Sequence, residues 1–273
     1  MKKIIVPVDF SACSDNALRN AIVIAKRMNM KLMLLHSYII PVAVAEHAPG
    51  FINQEIEMAE GSAQKQMVQL EEQFPGLKEV TYQNVVEGGT LLDSMRTLVK
   101  DYDVAMVIMG THGASGIQRA LLGSNAYNIM KHLPCPVIAL PEDADIKQMK
   151  RIGLGGDYKS IPSADCLKSV IELARAFYAE LMIIHIGEDQ DLEHSEMEIA
   201  RGMEKYLKNT KHSFHFRKDT HVEDGLVNFA KEHEIDLLAM ISKRHSFLER
   251  LTQGSQTRRM MLDIPMPLMV MHE

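Results

Sequence analysis

Short apolar runs recur along the chain, separated by stretches with helical spacing. The runs are IIVPV (4–8), LMLL (32–35), VAMVIM (104–109), VIAL (137–140), LMII (181–184), LLAMI (237–241) and LMVM (268–271). They have no polar face, which is the pattern of central strands in a parallel sheet. Between them, segments such as DNALRNAIVIAKRM (15–28) place apolar residues three and four apart. Strand alternating with helix implies βαβ units, with helices on both faces of the sheet. The pattern predicts strands near 2–8, 31–38, 79–86, 104–109 and 136–140, then near 151–155, 180–186, 213–218, 236–241 and 267–271. Helices are expected near 15–28, 53–73, 89–101, 123–131, 161–178, 192–208, 222–233 and 254–262.

The second half repeats the first. KLMLLH (31–36) matches ELMIIH (180–185), and DVAMVIM (103–109) matches EIDLLAM (234–240). HLPCPVIAL (132–140) matches DIPMPLMVM (263–271), with Pro134 and Pro136 answered by Pro265 and Pro267. Asp9 follows the first strand of copy one, and Asp157 follows that of copy two. So long a repeat means duplicated domains rather than a solenoid. The division falls in the polar stretch PEDADIKQMK (141–150), giving domains of 1–145 and 146–273. The expected fold class is α/β: two tandem, doubly wound, Rossmann-like domains, each with a five-stranded parallel sheet in the order 3-2-1-4-5.

Composition narrows the setting. At 273 residues with 46% hydrophobic and 24% charged, the chain is an ordinary folding sequence. A net charge of −6 gives no footprint for nucleic acid. The apolar start stops at Asp9, too early for a signal peptide, and no run is long enough to span a membrane. Cys13, Cys135 and Cys166 are not spaced as a metal knuckle or redox pair. The expected location is cytoplasmic.

The chemistry gathers after the fourth strand, in MGTHGASGIQRALLGSNAYNIM (109–130). Gly110, Gly113, Gly116 and Gly123 precede a helix opened by Ser124. A glycine-rich turn before a helix offers free backbone N–H groups and the positive end of the helix dipole, which suits phosphate. Ser124 and Asn125 add capping or phosphate-binding side chains, and His112 and Arg119 add donors. No Walker A loop occurs, and the glycines do not follow the first strand as a dinucleotide fingerprint would.

Gly110-x2-Gly113-x9-Gly123-Ser124 resembles the ATP-binding motif of the universal stress protein family. KKIIVPVDFSACSDNAL, LMLLHSY, IMGTHGASG, LLGSNA and CPVIAL resemble that family in order and interval. The likeness covers the whole chain as a tandem, strongest over 1–141. It implies ATP with Mg²⁺ in the first copy. Pro7, Val8 and Asp9 would lie by adenine and ribose, with the backbone of Ser37 on the adenine. Met109, Gly110, His112 and Gly113 would line the ribose and phosphate path. Gly123, Ser124 and Asn125 would hold the phosphates. The resemblance also implies pairing of the fifth strands, here VIAL with LMVM in an intrachain pseudo-dimer, and is compatible with a further homodimer. The implied role is a stress-response regulatory module with an unidentified protein partner.

Aligning Gly254-Ser255 on Gly123-Ser124 puts Ile241 at Gly110, Lys243 at His112 and Arg244 at Gly113, so copy two is expected to have lost ATP. Its GLGGD (153–157) is followed by Tyr158 where a dinucleotide loop needs glycine. Two other readings stay open. One is a slow ATPase or nucleotidyl-transferring enzyme using His112; the other is a nucleotide-free scaffold with another small ligand in copy two.

The remaining candidates read as structural. His36 and His185 end the second strand of each copy as hydrogen-bonders. His212 and His215 fall on opposite faces of a strand, against a shared metal; a zinc site would need His194, His212 and His221 to converge. Cys135 sits between prolines as a packing residue. The helix at 52–74 offers Ile52, Ile56, Ala59, Met67 and Leu70 for burial. With the loop 41–50 before it, it is a packing helix that could also meet a partner or cover the pocket.

Overall fold

A computed structural model describes residues 1–39, 52–112, 122–156, 164–187, 201–219, 222–242 and 266–272. Copy one runs β1 (Lys3–Pro7), α1 (Ala12–Met28), β2 (Lys31–Tyr38), α2 (Ile52–Gln73), β3 (Tyr82–Gly88), α3 (Leu91–Asp101), β4 (Val104–Gly110), α4 (Ser124–His132) and β5 (Val137–Leu140). Copy two runs β6 (Arg151–Gly156), α5 (Ala164–Phe177), β7 (Glu180–Gly187), α6 (201–207), β8 (His212–Lys218), α7 (Val222–Glu232), β9 (Leu237–Ser242) and β10 (Leu268–His272). The third strand departs most from expectation. Pro75 cannot continue α2 and instead opens a 3-10 turn over Pro75–Glu79, so the strand starts at Tyr82. The helix expected at 254–262, and the start of that at 192–208, lie outside the described residues.

The strands form one ten-stranded sheet in the order β3-β2-β1-β4-β5-β10-β9-β6-β7-β8. Each half therefore has the order 3-2-1-4-5, with parallel pairing inside each half. The halves meet where β5 and β10 run antiparallel, with Leu268 opposite Ala139, Met269 opposite Ile138 and Val270 opposite Val137. These strands are apolar on both faces and buried, so leaving either as an edge would expose apolar side chains and unpaired backbone.

Both faces of the sheet are covered continuously across the two copies. On one face, α1 and α2 of the first copy and α5 and α6 of the second share a core that includes Leu18, Met67, Leu167 and Met203. On the other, α3, α4 and α7 contribute Met95, Ile129 and Leu226. In α2, Met67 and Leu70 are buried, Ile56 and Ala59 are half-buried, and the Ile52 side chain lies outside the described residues.

The polar connector at 141–150 is strapped to α1. Asn16 Nδ2 donates to the carbonyls of Pro141 and Ala144, at 3.0 and 2.8 Å. Buried Asn20 donates to Ala144 O and accepts from Ile146 N–H. Ile146 and Met149 are buried beneath the strap. The two halves are therefore tied by helix contacts as well as by the sheet.

Candidate functional site

In a doubly wound sheet the crevice opens where the strand order reverses. Here that point lies between β1 and β4, because β2 flanks β1 on its other side. Both pairings are parallel, so Pro7, Val8 and Asp9, Ser37, and Met109 to His112 arrive at one end of the sheet. Gly123 brings the start of α4 there: its N–H donates to Thr111 O at 2.7 Å.

The turn after β1 is a closed set of hydrogen bonds. Asp9 Oδ1 accepts from Ser11 N at 3.1 Å and from Ser11 Oγ at 2.6 Å. Ser11 caps α1 by accepting from Ser14 N, and Ser14 Oγ accepts from Asp9 N–H. The helix cap is therefore Ser11, and exposed Asp9 anchors the cap. Phe10 takes a left-handed backbone (φ 62) and sets its ring 4.7 Å from that of His36. His36 Nδ1 donates to Val8 O at 2.8 Å, which fixes the end of β2 to the turn and confirms the structural role expected of His36. A second carboxyl stands close: Asp15 is pushed above its usual range by burial, with Arg19 opposing and Asp9 adding to the rise.

Gly110 answers a packing demand. A Cβ there would lie 2.7 Å from Cys13 Sγ and 3.0 Å from the Cys13 backbone. Its missing side chain thus lets α1 approach the sheet. Met109 is buried in the core beneath α4, so only its backbone faces the crevice. Ser37 is half-buried at the end of β2, and Pro7 and Val8 are buried. Thr111 gives its hydroxyl to His112 Nδ1, or takes a proton from it, at 2.8 Å, and donates its N–H to Leu140 O.

At α4, Gly123 supplies no side-chain cap. The first intrahelical bond there is Tyr127 N–H to Gly123 O, which leaves the preceding N–H groups of the first turn without helical partners. Ser124 and Asn125 are exposed beside them. That is the electrostatic arrangement an anion requires. Gly113 and Arg119 lie outside the described residues.

Strand register aligns the copies. Gly110 stands opposite Leu140, and Ile241 stands opposite Met271, the matching ends of the two proline-led motifs. Ile241 therefore does occupy the place of Gly110. Asp157, Tyr158, Lys243, Arg244, Gly254 and Ser255 lie outside the described residues. The glycines of β6 serve packing: a Cβ on Gly155 would stand 2.5 Å from Leu226 Cδ2. His212 and His215 fall on opposite faces, as expected. His212 faces Glu204 of α6, and His215 faces Phe229 and His233 of α7. His194 and His221 lie outside the described residues. Among the described residues, no three His, Cys, Asp or Glu gather as metal ligands. Cys135 is buried and its thiol is pushed up to about 12, mainly by burial, consistent with packing.

The universal stress protein family model matches residues 1–141 and again 149–272. The chain belongs to the universal stress protein family. Among the family's curated members, universal stress protein MJ0531 of Methanocaldococcus jannaschii is 29% identical over 142 residues, covering 51% of this chain and 81% of that protein. Universal stress protein Slr1230 of Synechocystis is 26% identical over 187 residues, covering 66% of this chain and 62% of the relative. The tandem architecture matches the crystal structure of a universal stress protein from Archaeoglobus fulgidus. The TM-score is 0.77 at 16% identity, over 99% of this chain and 98% of that one.

Sequence reasoning missed five residues of the crevice. Ser11 carried a signal, a serine directly before a helix. Thr111 lay inside the quoted motif. Phe10, Cys13 and Ser14 carried none, because their roles arise from a positive φ and from contacts across the fold.

Proposed function

We propose that the first copy binds ATP and that the protein is a nucleotide-responsive regulatory module. The carrying observation is the start of α4: a glycine without a side-chain cap, clasped to Thr111 at the end of β4, the strand next to β1. Pro7, Val8, Asp9 and the backbone of Ser37 form the nucleoside end. Asp9 is acceptor-only and already oriented by Ser11, so it suits ribose or adenine donors. The backbone from Met109 through His112 and Gly113 leads to the phosphates at Gly123, Ser124 and Asn125. Mg²⁺ would arrive on the ATP phosphates and keep most of its waters.

Copy two is read as having no ATP site, because Ile241, Lys243 and Arg244 replace Gly110, His112 and Gly113. Ile241 acts through the seating of its neighbouring helix, since the glycine it replaces faces α1. ATP acts by shifting the populations of states that a protein partner meets. No helix of the described residues is long and apolar enough to cross a membrane.

The test is Gly113→Arg, which gives copy one the residue of copy two. ATP binding measured by equilibrium dialysis should be lost while the circular dichroism spectrum is unchanged. Retained affinity would remove the loop from the site. ATP turnover abolished by His112→Ala would replace the binding reading with an enzymatic one.

A further inference from the structure

α4 is held at both ends by other parts of the chain, and the two holds come from different copies. Its start is clasped to β4 through Gly123 and Thr111. Its last turn is held by copy two: His272 Nε2 donates to Met130 O at 2.7 Å, across 142 residues of sequence.

The sheet explains how His272 reaches that position. Antiparallel pairing of β10 with β5 ends at Val270 opposite Val137. Met271 and His272 therefore run on past the start of β5, beneath the turn that follows α4. His272 is also paired in register with Ser242, the last residue of β9. Ser242 is the counterpart of Thr111, since Ile241 overlies Gly110. One residue thus links the crevice end of copy two to the helix whose far end is the anion-binding turn of copy one. Nine residues of α4 separate the ends, about 13 Å.

The link has no mirror image. The position matching His272 is Pro141, which has no side-chain donor, and its carbonyl is taken by Asn16. The imidazole is half-buried at this contact, where the hydrogen bond is shielded from competing water.

We infer that His272 is a positioning residue through which copy two sets the seat of α4, and with it the phosphate end of the site in copy one. The affinity part of this inference rests on the ATP reading; the seating of α4 does not.

The experiment compares the full chain with His272→Ala and His272→Gln, whose amide keeps a donor. Hydrogen exchange of peptides spanning 124–132 should speed up in the alanine variant and return toward wild type in the glutamine variant, with α1 and α3 unchanged. ATP affinity should fall about five-fold in the alanine variant, the equivalent of one ordinary hydrogen bond, and recover in the glutamine variant. Unchanged exchange in α4, or faster exchange spread over the whole sheet, would overturn the positioning role. Faster α4 exchange in the alanine variant, alongside a wild-type chain that takes no ATP, would keep that role and sink the nucleotide reading instead.

Discussion

Gly110 lies against Cys13 across 97 residues of sequence, and the approach leaves no room for a side chain at position 110. A Cβ on Gly110 would meet Cys13 Sγ at 2.7 Å and the Cys13 carbonyl oxygen at 3.0 Å. The start of α1 and the end of β4 are therefore set by one close approach. Gly110→Ala should cost about 1–3 kcal/mol, because the clash includes backbone that cannot swing aside. Urea denaturation of the variant and of Gly110→Ala with Cys13→Ala checks this. The second change should restore only part of the loss. Full restoration would mean that the sulfur alone set the limit.

Ser11→Ala removes both the cap of α1 and the hydroxyl donor to Asp9, leaving only the backbone N–H of residue 11 to orient that carboxylate. It should lower stability by about 1 kcal/mol. Thr90→Ala removes the cap of α3, which follows the edge strand β3, at a similar cost. Only the Ser11 variant should weaken ATP binding. Equal affinity in the two variants would mean that Asp9 does not need Ser11 to meet the nucleoside.

Gly155→Ala in copy two should be costly for a different reason: the new methyl would meet only the Leu226 side chain, but that side chain is buried and has little room to turn aside. Gly155→Ala combined with Leu226→Ala should destabilise by less than the sum of the singles, as expected for residues in contact. Additive losses would place the strain elsewhere.

Acid should weaken the fold through two histidines. His215 is pushed below the usual imidazole value of 6.5 by burial first and then by His233, with Glu180 partly offsetting. His272 is pushed below it by burial, with its bond to Met130 O opposing. The folded state thus binds protons less readily than the unfolded chain. The stability these groups contribute is complete above about pH 6.5 and declines as pH falls from there toward their folded values. Urea midpoints measured across that window should fall in the wild type. They should fall less in the double variant His215→Gln, His272→Gln. An identical decline in both would assign the acid sensitivity to other groups.

Much of this fold was legible because its strands carry their own signature. IIVPV and LLAMI can only be buried on both faces, and the repeated proline-led motifs align the copies to the residue, as the opposition of Ile241 and Met271 shows. The crevice was legible as backbone, through Gly123 opening a helix. What stayed hidden depends on distance in three dimensions. Gly110 reads as loop permissiveness until Cys13 is seen behind it. Asp9 reads as a lone carboxylate at a strand end until Ser11 is seen to orient it. The connector at 141–150 reads as a free polar link, but Asn16, Asn20 and Ile146 bind it to α1.

The central claim is that two homologous domains share one nucleotide site. Isothermal calorimetry of the full chain with ATP and Mg²⁺ tests it most directly. The account predicts a single site per chain, lost in Gly113→Arg. Two equivalent sites would contradict the loss in copy two, and no heat of binding at saturating protein would contradict the site in copy one.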